Sequence, residues 1–181
     1  IDGQTKNAIV VHCTAKFQLK LLKMAVPLIS TARGKDGNFG DTVATFSGTV
    51  ASSTELEKDD ANMILLHSAT DVKITGTVTV EPLHVGQPTD MLAVVAFAPG
   101  GFDRDKLFYM RDGKQFKPWD GNMATLSALQ ANVSSEKEQT LEIYQGSLLD
   151  GWYEVYFGYR LAEGTIIFNS EPLRIQMNSN P

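Results

Sequence analysis

Imidazole, thiol and thioether groups are the side chains of this sequence that could bind a metal ion or transfer a proton. The histidines are His12, His67 and His84. None of them forms an H-x-H, H-x-x-x-H or H-E-x-x-H pair, which are spacings of preformed metal sites. His12 precedes the only cysteine, Cys13, but neighbouring residues of a strand point to opposite faces. A composite site of histidines with Met24 or Met63 would suit copper, so a periplasmic ligand or metal sensor is our alternative hypothesis for function.

Motifs for acyl transfer, phosphate binding and glycoside hydrolysis are missing or incomplete. The sequence contains no G-x-S-x-G, no G-x-x-x-x-G-K and no G-x-G-x-x-G. The carboxylate pairs Asp59 with Asp60 and Asp103 with Asp105 lie in predicted loops, where carboxylates are usually solvated. We therefore predict a protein that is not an enzyme, with no catalytic residues and no cofactor.

A glycine-rich segment near residue 40 carries Asp36, Asn38 and Asp41. Oxygen ligands at alternate positions of a loop with glycine turns are what calcium sites use. The EF-hand pattern is not completed, however, because no glutamate stands at its closing position. The loop is thus either a calcium site or a plain surface turn. The incomplete pattern favours the turn, and we predict no metal ligands.

The pattern that most favours a binding role lies on the predicted strand Tyr153–Leu161 and the residue just before it. Trp152, Tyr156 and Arg160 share one face there with an acid and a glycine. Planar aromatic rings beside an arginine are typical of surfaces that bind a sugar or another protein. We predict Trp152, Tyr156 and Arg160 as ligand-binding residues, with a protein or carbohydrate partner. In the alternative interpretation, the two aromatic side chains pack beneath residues 120–137 or against the N-terminal segment.

This face depends on a set of predicted strands in the second half of the chain. Val72–Val80 alternates apolar and polar residues, as a strand with one buried face does. Met91–Ala98 is apolar on both faces, which is typical of a central strand. Lys106–Met110 and Gln115–Trp119 flank an Asp-Gly pair, which favours a two-residue hairpin turn.

The remaining elements of this half are predicted in the same way. Polar, irregular sequence predicts a loop over residues 120–137, with one helical turn near Met123–Leu129. Further strands are predicted at Glu138–Tyr144, Tyr153–Leu161, Thr165–Phe168 and Leu173–Met177. Because Pro172 precedes the last strand, that strand is expected to be bulged or at an edge. Strands at roughly ten-residue spacing favour a sandwich of two sheets.

Leu148, Gly151, Tyr153 and Val155 match the pattern of a tyrosine corner. In immunoglobulin-like domains this tyrosine stands two residues before a core position of the penultimate strand, and its hydroxyl bonds to backbone just upstream. A tyrosine inside any amphipathic strand is the alternative interpretation. We predict an all-β fold, with an antiparallel immunoglobulin-like β-sandwich over residues 70–181.

Residues 1–69 are predicted to form an additional N-terminal β-rich segment, either a small domain or an extension packed on the sandwich. Strands are predicted at Ala8–Thr14, Thr42–Val50 and Met63–His67, and loops at Arg33–Asp41 and Ser52–Asp60. Lys16–Met24 fits both a strand and a short amphipathic helix with a basic face, and its alternation favours the strand.

Composition limits the classes of partner and compartment. The chain has 43% hydrophobic and 20% charged residues with 15 Gly and 7 Pro, which is typical of globular proteins. A net charge of −5 argues against nucleic-acid binding, which needs a concentrated basic surface. No apolar run approaches the roughly 18 residues of a membrane-spanning helix. A single cysteine allows no internal disulfide, which fits a reducing cytosol and equally a bacterial periplasm or surface.

The stretch Gly151–Asn169 resembles accessory β-sandwich modules of large secreted or surface proteins of bacteria, and so do Phe108–Met110 and Phe116–Gly121. The resemblance covers about residues 72–177 and transfers no functional residue. It implies a spacer, an adhesion unit or a ligand-binding appendage that is secreted, on the cell surface or periplasmic. Because the chain begins at Ile1, we expect a mature or trimmed segment. Our primary expectation is a non-enzymatic extracytoplasmic module for protein or glycan binding or for surface organisation.

Overall fold

The structure is a computed structural model that describes residues 22–54, 56–59, 63–67, 71–101 and 105–179. Within these residues the fold is all-β, as predicted, and the only other regular elements are two 3-10 turns, Pro82–His84 and Met123–Thr125. The strands, in chain order, are β1 (Leu22–Leu28), β2 (Ser30–Arg33), β3 (Phe39–Gly40), β4 (Thr45–Ser52), β5 (Leu56–Lys58), β6 (Met63–Leu66), β7 (Val72–Thr79), β8 (Pro88–Ala98), β9 (Leu107–Asp112), β10 (Gln115–Pro118), β11 (Gln130–Ser134), β12 (Glu138–Gly146), β13 (Gly151–Leu161), β14 (Ile166–Asn169) and β15 (Leu173–Met177). The predicted strand Ala8–Thr14 and most of Lys16–Met24 lie outside the described residues.

The strands form two sheets. The first contains β1, β4, β7 and β12 in that spatial order, and each neighbouring pair is antiparallel. The second runs β10-β9-β8-β13-β14-β2-β3. In addition, β11 pairs with β8, β15 pairs with β13, β6 pairs in parallel with β15, and β5 pairs with β6. Strands from residues 22–67 therefore pair with strands from residues 71–179 in both sheets.

One hydrophobic core lies between the two sheets. Successive side chains of a strand point to opposite faces, so each strand contributes alternate residues. Val50 and Ile74 reach the core from the first sheet, and Val155 and Phe157 reach it from the second. Gly76 leaves room for the ring of Phe157, because a Cβ at this glycine would stand 2.5 Å from two of the ring carbons. The even-numbered residues of β13 consequently face away from the first sheet.

The last strand, β15, is not at an edge, and that prediction was wrong. It pairs in regular register with Gly151–Val155 of β13 on one side and with β6 on the other. Pro172 stands before the strand, in the break between β14 and β15, so it removes no hydrogen bond from the ladder. The second partner of β15 is β6, which is distant in sequence, so no local pattern predicts this pairing.

The corner that leads into β13 has the hydrogen bond expected of a tyrosine corner. The Tyr153 hydroxyl donates to the backbone oxygen of Leu149 at 2.7 Å. Its ring stacks on Phe97 with the two centroids 4.8 Å apart. Burial raises the pKa of Tyr153 to about 12, so the phenol stays protonated and keeps this donor role at physiological pH.

Segments predicted as loops contain three additional strands. Residues 120–137 include the expected helical turn, but they also include β11, which pairs with the first part of β8. A shift of register interrupts this pairing near Asn132, whose φ is 52°. The short strands β3 and β5 lie in the predicted loops 33–41 and 52–60. All three strands are largely exposed, so no burial pattern marks them.

The predicted hairpin is present as β9 and β10, but its turn lies one residue later than expected. Asp112 pairs with Gln115, so Gly113 and Lys114 form the two-residue loop. Gly113 has a φ of 56°. A positive φ at the first loop position is what a type II′ turn requires, and glycine adopts it without strain.

Candidate binding cleft

Trp152, Tyr156 and Arg160 lie on the outward face of β13, but they are spread along the strand. At about 3.3 Å per residue, the Cα atoms of Trp152 and Arg160 stand on the order of 26 Å apart. One small ligand cannot contact all three side chains. The structure instead places each of them in a different environment.

Tyr156 belongs to a second, smaller apolar cluster on the outer face of the second sheet. The buried members of this cluster are Leu92, Val94, Leu126 and Ile166. Partly buried side chains that pack on them include Met110, Trp119, Met123, Tyr156 and Phe168. Because Met123 and Leu126 come from the segment 119–129, this segment covers part of Tyr156. This partial cover agrees with the alternative interpretation, in which Tyr156 packs beneath residues 120–137.

The cover is incomplete and leaves an apolar cavity of about 220 Å³. Its walls include the aromatic side chains Phe108, Trp119, Tyr156 and Phe168. Phe108 and Trp119 meet edge to face, with ring centroids 6.5 Å apart and planes at 80°. Phe108 is 39% exposed, so the wall that it forms can be reached from solvent. We refer to this space as the apolar cavity.

The polar atoms that the aromatic walls carry are already bonded within the protein. Trp119 donates through Nε1 to the backbone oxygen of Asn122 at 3.0 Å. The Tyr156 hydroxyl donates at 3.4 Å to the Glu154 carboxylate, which also holds the Lys106 ammonium at 2.8 Å. Burial, together with the charge of Glu154, raises the pKa of Tyr156 to about 12, so the hydroxyl remains protonated. The apolar cavity therefore offers an occupant contact and burial rather than hydrogen bonds.

A short motif fixes the segment that covers the cluster. Asp120 accepts hydrogen bonds at 2.9 Å from both the Asn122 N–H and the Thr125 hydroxyl. The Asn122 side chain in turn accepts from the Ala124 N–H at 3.0 Å. The first two bonds lower the pKa of Asp120, and the bond between Asn122 and Ala124 caps the 3-10 turn Met123–Thr125. The Asp-Gly-Asn sequence at 120–122 signals such a turn, although it does not reveal what the turn packs against.

Arg160 is engaged within the protein rather than free for a ligand. Its Nη2 lies 2.7 Å from Asp90 Oδ2, and its Nη1 donates to the backbone oxygen of Leu126 at 3.1 Å. The other oxygen of Asp90 accepts from the Asn132 N–H at 3.0 Å. Burial opposes ionisation of Asp90, yet the bonds from Arg160 and Asn132 hold its pKa below the ordinary value. Arg160 thus joins β13 to β8 and to the covering segment, and Asp90 joins β8 to β11.

A second cavity, of about 440 Å³, adjoins the apolar cavity. Its charged lining residues are Arg33, Lys35 and Arg160, and we refer to it as the basic cavity. Met123 and Ile166 line both cavities, so the two spaces are neighbours, and we refer to them together as the cleft. The cleft lies on the outward face of β13 and β14.

The sequence had indicated part of this cleft. Tyr156 and Arg160 line it, whereas Trp152 lines neither cavity and lies at the other end of β13. Residues that the sequence did not single out are Arg33, Lys35, Phe108, Trp119 and Phe168. Phe108 and Trp119 could have been found from the aromatic residues of the predicted hairpin, which the structure contains as β9 and β10. No local pattern predicts that β2, which carries Arg33, pairs with β14.

The two described histidines do not share a site. His67 Nε2 lies 3.8 Å from a Glu57 carboxylate oxygen near the end of β6, while His84 Nδ1 lies 2.9 Å from the Tyr159 hydroxyl. Leu66, next to His67, pairs with Met177, which pairs with Gly151 at the start of β13. Tyr159, which contacts His84, lies near the end of β13, so the two histidines are at opposite ends of this strand. Burial raises the pKa of Tyr159 to about 12, which keeps it a neutral phenol. Across the described ranges, no group of three or more His, Cys, Asp or Glu side chains could hold a metal ion. His12 and Cys13 lie outside the described residues.

The loop that carries Asp36, Asn38 and Asp41 contains hydrogen bonds between Asn38 and Asp36. The Asn38 N–H donates to one Asp36 carboxylate oxygen at 3.0 Å, and the Asn38 side chain donates to the other at 2.6 Å. These bonds lower the pKa of Asp36. A bond from a backbone N–H to an aspartate two residues earlier is typical of an Asx turn.

No helix among the described residues has the length and apolar character needed to cross a membrane. Comparison with models of protein families, with curated proteins and with solved structures finds no match to this chain.

Proposed function

We propose that this protein is a non-enzymatic, extracytoplasmic binding module of immunoglobulin-like type, and that it holds an apolar side chain of a protein partner in the apolar cavity. The observation that carries the proposal is the solvent-reachable cavity walled by Phe108, Trp119, Tyr156 and Phe168. Rings of this kind are enriched where proteins bind one another.

The order of the strands supports an immunoglobulin-like type. In such domains the strands A, B and E form one sheet and C, F and G form the other. Here β4, β7 and β12 adjoin in the first sheet, and β8, β13 and β15 adjoin in the second. The chain therefore crosses between sheets after β7 and again after β12, as it does after strands B and E. The hydrogen bond of Tyr153 at the second crossing adds support.

The chemistry of the walls favours a protein partner over a carbohydrate. Sugar hydroxyls that enter a cavity need hydrogen-bond partners, because a buried polar group without one is costly. The indole N–H of Trp119 and the hydroxyl of Tyr156 are both engaged inside the protein. An aliphatic or aromatic side chain loses no hydrogen bond on entering, and its full burial contributes about 1.5–3 kcal/mol.

The extracytoplasmic location is part of the same proposal. It is supported by the resemblance of Gly151–Asn169 to accessory modules of secreted and surface proteins. The absence of a recognisable catalytic motif in the sequence supports a non-enzymatic role.

Selection of peptides from a random displayed library, with the purified chain as target, tests this function. We expect the selected peptides to share an aromatic or aliphatic residue and to bind at least about tenfold more weakly to Phe108→Ala, a loss of about 1.4 kcal/mol. Leu107→Ala is the matched control. Leu107 is 49% exposed and adjoins Phe108 on β9, but it does not line the cavity.

Two outcomes would count against the proposal. Peptides that bind equally well to both variants would place the contact surface elsewhere. Binding of a panel of immobilised glycans that is lost in Phe108→Ala and retained in Leu107→Ala would assign the cavity to a carbohydrate instead.

A further inference from the structure

We propose that the basic cavity is an oxyanion subsite of the same cleft, which binds a carboxylate that stands beside the apolar group of the ligand. The oxyanion subsite follows from the residues of the basic cavity alone. The inference that the bound carboxylate stands beside an apolar group of the same ligand rests on the function proposed above. The partner would accordingly present an acidic residue close to an aromatic or aliphatic one.

Arg33 is the first residue that carries this inference. It is the last residue of β2, where it stands opposite Ile166 of β14, and its guanidinium carbon lies 5.8 Å from the centre of the Phe39 ring. Its Nε is buried and makes no hydrogen bond within the part of the chain that the structure describes, as is also true of Nε in Arg111 and Arg174. Its Nη2 lies beside Gly37, another lining residue, where a Cβ would stand 3.7 Å from it. The terminal nitrogens of the guanidinium are therefore the donors that Arg33 offers to a carboxylate.

Lys35 adds a second cation to the same cavity. Its aliphatic part lies against Gly164, because a Cβ at that glycine would stand 3.7 Å from Lys35 Cγ. Gly164 has a φ of 101°, so a side chain there would be both strained and in contact with the lysine. The two glycine-containing turns, 34–37 and 162–164, thus bring Lys35 to the cavity and leave the space beside it free of side chains.

Two cations of the basic cavity form no ion pair with an acid of the described residues. Arg160 is paired with Asp90, but no described acid lies within ion-pair distance of Arg33 or Lys35. Asp36 is the acid nearest to them in sequence, and its carboxylate accepts hydrogen bonds from Asn38. Arg33 and Lys35 thus line one cavity of a chain whose net charge is −5.

The dimensions show what kind of anion fits. A space of about 440 Å³ has room for more than one free ion, so the anionic group can belong to a larger ligand. Met123 and Ile166 are shared with the apolar cavity, so the rest of such a ligand can extend over them onto the aromatic walls. An acidic side chain next to an apolar one in a peptide has this shape.

The test uses small probes and the 181-residue chain labelled with ¹⁵N for amide chemical-shift titration. The probes are phenylacetate, 3-phenylpropanoate and 4-phenylbutanoate, their three neutral amides, and acetate alone. We expect at least one carboxylate to bind about tenfold or more tightly than its amide, with shifts at both Gly164 and Val94. Arg33→Gln and Lys35→Gln should each reduce this preference, whereas Lys137→Gln, an exposed lysine outside both cavities, should not.

Arg33 packs on Phe39, so its replacement could disturb β2, but Lys35 is exposed in a turn and gives an independent reading. Equal binding of carboxylates and amides with shifts at Val94 would overturn the oxyanion subsite and leave the proposed function standing. Acetate binding that requires Arg33 and Lys35, with no aryl probe at Val94, would support the subsite and count against the proposed function. Absence of binding by every probe would overturn both.

Discussion

Replacing Asn169 with alanine is expected to destabilise the fold by several kcal/mol, because this side chain completes the hydrogen bonding of β13 where the adjacent strand is broken. The pairing of β15 with β13 ends at Val155, and the pairing of β14 with β13 begins only at Gly158. In the gap, Asn169 accepts from the Phe157 N–H at 2.6 Å. It also donates to the carbonyl oxygens of Val155 at 3.1 Å and Glu171 at 2.9 Å.

The expected loss follows from the burial of these groups. Asn169 has no exposed surface, so water does not replace its side chain without rearrangement. Alanine would leave the Phe157 N–H and the Val155 carbonyl without partners, at a cost of about 1–3 kcal/mol for each group. The total of about 2–6 kcal/mol is a large share of a typical stability of about 5–15 kcal/mol. With a urea dependence of about 2 kcal/mol per molar, the midpoint of unfolding would fall by about 1–3 M.

Urea unfolding followed by tryptophan fluorescence and by circular dichroism measures this change. Ser170→Ala is the control, because Ser170 is exposed and its hydroxyl makes one long bond of 3.4 Å to the Ile29 carbonyl oxygen. Its loss should stay within about 0.5 kcal/mol. A loss below about 1 kcal/mol for Asn169→Ala would refute the reasoning, since it would mean that the two backbone groups of β13 find other partners.

Two further substitutions test single contacts. Tyr153→Phe removes the hydrogen bond from the hydroxyl to the Leu149 carbonyl and should lower the free energy of unfolding in urea by about 1 kcal/mol. The control, Tyr109→Phe, should lower it by almost nothing. Equal losses in the two variants would show that this hydrogen bond does not stabilise the fold. Asp90→Asn should cost about 1 kcal/mol at pH 7, because Asp90 is only partly buried and solvent screens its pair with Arg160. The pKa of Asp90 is lowered in the folded state, so its contribution is present above its unfolded pKa and is lost as pH falls through the folded pKa. The variant should therefore lose less stability than the parent between about pH 5 and pH 2, and an unchanged pH dependence would contradict this account.

The strands that could be predicted from sequence are those whose two faces differ or are both buried. Val72–Thr79 alternates buried and half-buried residues along its length, and the predicted strand Val72–Val80 matches it within one residue. β11 was missed because it has neither property: its residues are mostly exposed and polar, and it forms only by pairing with β8. The hairpin turn was displaced by one residue, since an Asp-Gly pair is compatible with two positions of glycine in the turn.

The candidate site was less predictable because it is assembled from segments that are distant in sequence. Alternation along β13 correctly put Tyr156 on the outer face, but it could not show that Phe108 and Trp119 would stand beside it. Arg160 lies on the predicted face, but its ion pair could not be predicted, because its partner Asp90 is 70 residues away. Arg33 could not be predicted as a cleft residue, because it reaches the cleft only through the pairing of β2 with β14.

The outer face of the second sheet has a composition that folding alone does not explain. Central strands of a two-sheet fold can present polar residues to solvent, yet β8 and β13 carry Leu92, Val94 and Tyr156 outward. The segment 119–129 covers this face, which fold stability requires, but it stops short of filling the apolar cavity. An unfilled cavity lowers stability. Its place beside the cations Arg33 and Lys35 is accounted for if a ligand with an apolar and an anionic group supplies the missing contacts.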